Sequence, residues 1–306
     1  MTLKPIIGHT SVQQILTDMV ATSSLPHALL FHGSQGIGKR LVAEKLAYHL
    51  FCPDTNSMLA DNLSVDSNHE LYPQLEEMSH PDYKILEPEE GKKVIKISQV
   101  RELINQLHLS ADGKKIVIID SAEQMNVNSS NALLKTLEEP GDNIHIILIC
   151  HNLSKLLPTI ISRCRQFRFN PLNKNEITQV IQQDSTKVDI DKYINFTSGS
   201  PGELIHIAKE GKIAMEQLNI FFQNPQNING SEINQMAELL QRKKQAGIAL
   251  SILMTYISNQ FKQDKNHKWG DVYEKIQHKQ QNMAEFNLNA QLTLEAALTD
   301  VSAMYR

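Results

Sequence analysis

Residues 33–40 read Gly-Ser-Gln-Gly-Ile-Gly-Lys-Arg, a phosphate-binding loop in every position but the last. Gly33, Gly36 and Gly38 let backbone N–H groups approach phosphate oxygens closely, and Lys39 is placed to reach β- and γ-phosphates. The residue after that lysine is normally Ser or Thr, whose hydroxyl ligates the Mg²⁺ that bridges the phosphates. Arg40 stands there instead and cannot ligate a cation. A second half-site lies at Asp120, which ends the apolar run Lys115-Ile-Val-Ile-Ile-Asp120 and is the natural acid to hold a metal through water. The water-orienting acid expected beside it is replaced by Ser121, and Glu123, further along, is expected to point elsewhere. One defect removes metal ligation and the other removes water activation, so a loop inherited for its shape competes strongly with working hydrolysis.

A third element is Ser162-Arg163-Cys164. An arginine after a helix is most often a surface or salt-bridging residue. Here a helix and a following strand would fix the Arg163 guanidinium at a domain edge, ready to stabilise charge on a phosphate held by a neighbouring subunit.

The elements that must position these groups follow from hydrophobic periodicity. Short apolar runs alternate with helical patterns over the first 170 residues, the signature of a mostly parallel sheet flanked by helices. Strands are expected at 28–32, 83–87, 94–97, 115–120, 144–149 and 166–169, and helices at 39–50, 99–109 (capped by Ser98), 129–139 and 155–162. In the helix at 129–139, Ala132, Leu133, Thr136 and Leu137 face inward, leaving Lys135, Glu138 and Glu139 for solvent or for an interface. Residues 53–79 hold six acids and no Lys or Arg, and read as an inserted or partly mobile segment. Beyond Pro171 the strand pattern stops and helices take over: a small lid with helices at 174–183, 189–196 and 202–209, then an all-helical region from 212. The division is therefore 1–169, 170–211 and 212–306.

Composition narrows the class. A net charge of −4 with 21% charged and 41% hydrophobic residues describes an ordinary globular chain with no overall basic field for nucleic acid. The start has no signal-peptide pattern, and the most apolar run, 144–150, is too short to span a bilayer. Cys52, Cys150 and Cys164 are odd in number and scattered, which fits a reduced cytoplasm.

Several words in order carry a family resemblance: Leu25-Pro-His-Ala28, His80-Pro-Asp-Tyr83, Asn131-Ala-Leu-Leu-Lys-Thr-Leu-Glu-Glu-Pro140, Ser162-Arg-Cys164, Gly199-Ser-Pro-Gly202 and the closing stretch 287–298. Together they closely resemble the bacterial clamp-loader subunits of DNA polymerase III. The resemblance implies an α/β AAA+ P-loop domain followed by a helical lid and an all-α collar that joins a five-subunit ring segment. It implies gamma or tau and delta subunits as partners, with the sliding clamp and primed DNA beyond them. It further implies a member that hydrolyses nothing itself and offers Arg163, with Ser162 and Cys164 of its motif, to a neighbour's ATP site. The arginine that active relatives carry shortly after the Gly-Ser pair is Gly202 here, a third missing part. ATP binding is expected to be weak or absent. Many relatives also carry four cysteines between the loop helix and His80-Pro-Asp-Tyr83. This chain has only Cys52 beside that stretch, with His69 and His80, so no zinc is expected. Two other readings compete: an active gamma- or tau-like ATPase that tolerates Arg40, and a small-molecule P-loop kinase.

Overall fold

The computed structural model describes residues 5–54, 63–89, 91–92, 94–109, 113–141, 143–184, 188–286 and 289–306. They form two compact units, residues 1–172 and 173–306.

The first unit opens with helix α1 (Thr10–Ala21), then strand β1 (Ala28–His32), α2 (Lys39–Phe51), α3 (Tyr72–Glu76), β2 (Tyr83–Leu86) and α4 (Ile97–Leu109). It continues through β3 (Lys115–Asp120), α5 (Val127–Glu138), β4 (Ile144–Cys150), α6 (Pro158–Ile161) and β5 (Arg165–Arg168). The five strands pair in the order β2-β3-β4-β1-β5, all parallel. Helical crossovers cover both faces of such a sheet, which is why β3 and β4 are almost continuously apolar. Alternate residues of each strand feed opposite layers. Leu29, Phe31, Ile116, Ile118, Ile147 and Ile149 pack with α1 and α2. Ala28, Leu30, Val117, Ile119, Ile146 and Leu148 pack with α4, α5 and α6. Strand β5 closes one edge with Phe167 turned inward and Arg165, Gln166 and Arg168 exposed, charges that discourage further pairing.

Local signals explain several boundaries, and some differ from the sequence expectations. Asn126 caps α5 by accepting a hydrogen bond from the Ser129 N–H at 2.9 Å. Ser129 is thus inside the helix, with its hydroxyl donating to Ile95 O. The expected strand at 94–97 shrinks to one bridge between Ile95 and Met125. Ser98 does not cap α4, because the helix already begins at Ile97. Instead the Gln99 side chain accepts from the Lys96 N–H at 2.9 Å. The expected helix at 155–162 is a 3₁₀ turn followed by the four residues of α6, since Pro158 can only open a helix. The acidic stretch expected to be inserted or partly mobile is anchored where it is described: Leu63, Tyr72 and Leu75 are buried in the core around α2. Residues 55–62 lie outside the described residues.

The second unit contains α7 (Lys174–Gln183), α8 (Ile190–Tyr193), α9 (Pro201–Glu210), α10 (Lys212–Gln223), α11 (Gly230–Arg242), α12 (Ala246–Asp264), α13 (His267–Phe286) and α14 (Ala290–Ala303). Capping boxes at Asn173/Glu176 and Asn229/Glu232 start α7 and α11. Helix α12 is the central one and packs against α10, α11, α13 and α14. Trp269 of α13, which carried no signal in the sequence, is buried against the Tyr305 ring.

One position links the strands to the loop that follows them. Gly33 has φ +148°, and a Cβ there would lie 2.4 Å from the Phe169 carbonyl oxygen. Neither backbone can yield, because the Phe169 N–H also donates to His32 O at 2.8 Å. Gly33→Ala should therefore lower unfolding free energy by about 2–4 kcal/mol, read as a lower urea midpoint with unchanged m-value.

Candidate functional site

The loop between β1 and α2 sits at the carboxyl ends of the strands, where parallel sheets gather ligand groups. Gly36 (φ +75°) and Gly38 (φ +103°) take the left-handed backbone that bends the loop onto the start of α2. His9 steadies it from outside: its Nε2 lies 2.7 Å from Ile37 O and its ring packs on Phe169. Lys39 is 3% exposed and donates to Gly33 O at 2.7 Å and Ser34 O at 2.6 Å. Burial pulls its pKa down to about 8, against the opposing pull of Glu123 and Asp120.

Arg40 turns toward the ends of β2 and β3. Its Nε donates to Glu44 at 2.8 Å, and one terminal nitrogen donates to Glu87 at 2.7 Å and lies 3.5 Å from Asp120. Burial alone would lower its pKa, but the hydrogen bonds to Glu44 and Glu87 outweigh that and raise it. A magnesium-bridged nucleotide does not fit this set. The position of the metal-binding hydroxyl holds a guanidinium, and that guanidinium already faces the acid that would hold the metal.

Sequence reasoning missed two groups here. Glu123 does not point elsewhere; its Oε1 accepts from the His151 N–H at 2.9 Å, and its charge acts on Lys39. His151 follows β4, with Nε2 3.1 Å from the Ser121 hydroxyl, which in turn donates to Asp120 at 3.3 Å. Burial, then the Lys39 charge, lowers the His151 pKa. Glu123 Oε2 and His151 Nδ1 are buried with no hydrogen-bond partner among the described residues. The available signal for His151 was its place directly after an apolar strand of a parallel sheet.

Arg163 lies at the other end of the sheet. It precedes β5, whose Arg165 pairs with Leu29, whereas the loop begins one residue past His32, the partner of Arg168. At ~3.3 Å per residue, the four strand residues alone separate Arg163 from its own loop by about 13 Å. Its Nε donates to Glu138 at 2.7 Å, a second guanidinium nitrogen also pairs with Glu138, and a third donates to Thr159 O at 2.9 Å. Two residues singled out separately, Arg163 and Glu138, are thus one ion pair, still partly open to solvent. Lys135 and Glu139 are exposed at the same helix end. Ser162 is exposed, and Cys164 is buried with its thiol pushed up to about 12 by burial, so it serves packing rather than chemistry.

Among the described residues no group of three or more His, Cys, Asp or Glu could hold a metal ion. Cys52 and His69, distant in sequence, do meet, with Sγ 3.4 Å from Nδ1. A cavity of about 500 Å³ in the second unit is lined by Phe196, Phe222, Tyr256 and six Asn and Gln residues. Its lining residues carry no charge. Among the described residues no helix is long and apolar enough to cross a membrane.

A family model described as DNA polymerase III, delta subunit, matches residues 8–173, just over half of the 306-residue chain. DNA polymerase III subunit delta' of Pseudomonas aeruginosa is 44% identical over 142 residues, 46% of this chain and 42% of that protein. The chain belongs to the DNA polymerase III delta prime family. The Bacillus subtilis subunit delta' is 29% identical over 211 residues, 68% of this chain and 62% of that one. The replication factor C small subunit of Methanococcus vannielii is 26% identical over 246 residues, 78% of this chain and 70% of that one. The matched stretch spans less than two thirds of the length of either delta' relative.

The buried Lys39 ammonium generates a measurable pH dependence. Its folded value of about 8 lies below the ordinary 10.5, so the unfolded chain holds the proton over that interval and stability rises with pH through it. Relative to Lys39→Met, the wild-type protein should gain up to about 3 kcal/mol between those two pH values, read by urea unfolding.

Proposed function

We propose that this chain is a non-hydrolysing subunit of a bacterial clamp loader in DNA replication, the delta prime position of the complex. Its partners would be gamma or tau and delta subunits, which use ATP to place a sliding clamp on primed DNA in the cytoplasm. Its own loop would bind ATP weakly or not at all and would need no cofactor or zinc. Residues 170–211 would act as a lid and 212–306 as the collar through which subunits assemble. Arg163 would complete a neighbour's ATP site, with Ser162 and Cys164 shaping its turn and Lys135, Glu138 and Glu139 forming part of the same junction.

The observation that carries this reading is the placement of Arg163 across the sheet from the loop of its own chain, held outward by Glu138. A guanidinium there has no phosphate within its own subunit to serve, and one supplied from a neighbour is worth orders of magnitude in phosphoryl transfer. Arg40 in the metal position and Ser121 in place of the adjacent acid support the absence of turnover in cis.

One observation favours the alternative, an active ATPase of the gamma or tau kind: Glu123 lies near enough to Lys39 to affect its ionisation. Two experiments separate the readings. With Arg163→Ala, the reconstituted complex should still assemble but lose at least about 10-fold in DNA-stimulated ATP turnover. Unchanged turnover would remove the trans-acting role. Magnesium-dependent hydrolysis by the isolated chain, abolished in Lys39→Ala, would establish the alternative.

A further inference from the structure

Three carboxylates converge at the carboxyl ends of the strands: Glu44 one turn along α2, Glu87 just past β2, and Asp120 at the end of β3. Glu44 and Asp120 have side chains only 22% and 16% exposed, so their charges are not left to bulk solvent. As they stand these carboxylates are not a group that could hold a metal ion, so their counter-charge has to come from the chain itself. Arg40 fills the space between them. Its Nε reaches Glu44 at 2.8 Å, and a terminal nitrogen reaches Glu87 at 2.7 Å and Asp120 at 3.5 Å. The first two contacts have the length of charge-assisted hydrogen bonds, and the planar fork suits carboxylates that approach from different elements.

We propose that the Arg40 guanidinium is a tethered replacement for a divalent cation, offsetting part of the charge of Asp120, Glu87 and Glu44 so that the phosphate loop keeps its shape with no metal. The disagreement with a magnesium-dependent loop is then more than the loss of a hydroxyl. The same substitution that removes the metal's ligand supplies a positive charge, and it fixes that charge by a covalent tether on α2. Lys39 behaves in parallel, with its ammonium satisfied by the loop carbonyls of Gly33 and Ser34. Both cations that face the pocket are therefore held by the chain itself. Divalent-cation independence of this fold can be tested apart from any role in a complex.

The test is thermal unfolding of the full chain in EDTA and in millimolar magnesium chloride. The wild-type midpoint should be the same in both. Arg40→Ser leaves three carboxylates without their shared counter-charge and puts a hydroxyl in its place. Its midpoint should fall by about 3 °C or more in EDTA and recover, saturably, with magnesium. Arg40→Ser combined with Asp120→Asn should regain part of the loss in EDTA and no longer respond to the metal. If Arg40→Ser alone does not fold, recovery of folding in the double variant supports the same conclusion. A wild-type midpoint that rises with magnesium would overturn the proposal. So would an Arg40→Ser loss that magnesium does not reverse, or a double variant no more stable in EDTA than the single one.

Discussion

Five parallel strands impose a polarity on everything charged in the first unit. Their carboxyl ends share one edge, and there the chain places the loop after β1, Glu87 after β2, Asp120 closing β3 and His151 after β4. Their amino ends share the opposite edge, where Arg163 leads into β5. Helix α5 leaves β3 and returns toward the start of β4, so its last residue, Glu138, arrives at that same amino edge. The Arg163–Glu138 pair is a consequence of this wiring. Because the sheet is buried on both faces, neither set of groups can migrate to the other edge.

The two edges then carry arginines in different states. At the carboxyl edge, Arg40 is bound by three carboxylates of its own chain, and Lys39 by two carbonyls of its own loop. Buried cations must find counter-charges or acceptors, and here the fold supplies them internally. At the amino edge, Arg163 meets one exposed carboxylate and one backbone carbonyl, contacts that solvent screens. The first arrangement lies inside the pocket, and the second stays partly open to solvent.

Much of this was legible in residue order. The bounds of β1 and β3 follow directly from apolar runs, and the helix expected at 174–183 is α7. The glycine spacing gave the loop, and Arg40 and Ser121 announced its defects. Where the reading slipped, the partner a group meets in the folded chain had decided the matter. Ser98 looked like a cap until Gln99 took the Lys96 N–H, and residues 94–97 looked like a strand that had only Met125 to pair with. The acidic stretch looked loose because its charges are conspicuous, while Leu63, Tyr72 and Leu75, scattered among them, anchor it.

The amino-acid order by itself determined which groups this protein owns: a glycine loop with its lysine, an arginine where a hydroxyl belongs, an acid ending a buried strand, and a Ser-Arg-Cys turn. Those are local facts, because a loop or a strand is specified by residues a few positions apart. Which groups meet was decided only by tertiary structure. Arg40 reaching Glu87 and Asp120, Glu123 turning to His151, and Glu138 taking Arg163 each join residues 25 to 80 positions apart in the chain. Electrostatic partnership depends on distance through space, and that distance is set by sheet order and helix packing rather than by spacing along the chain.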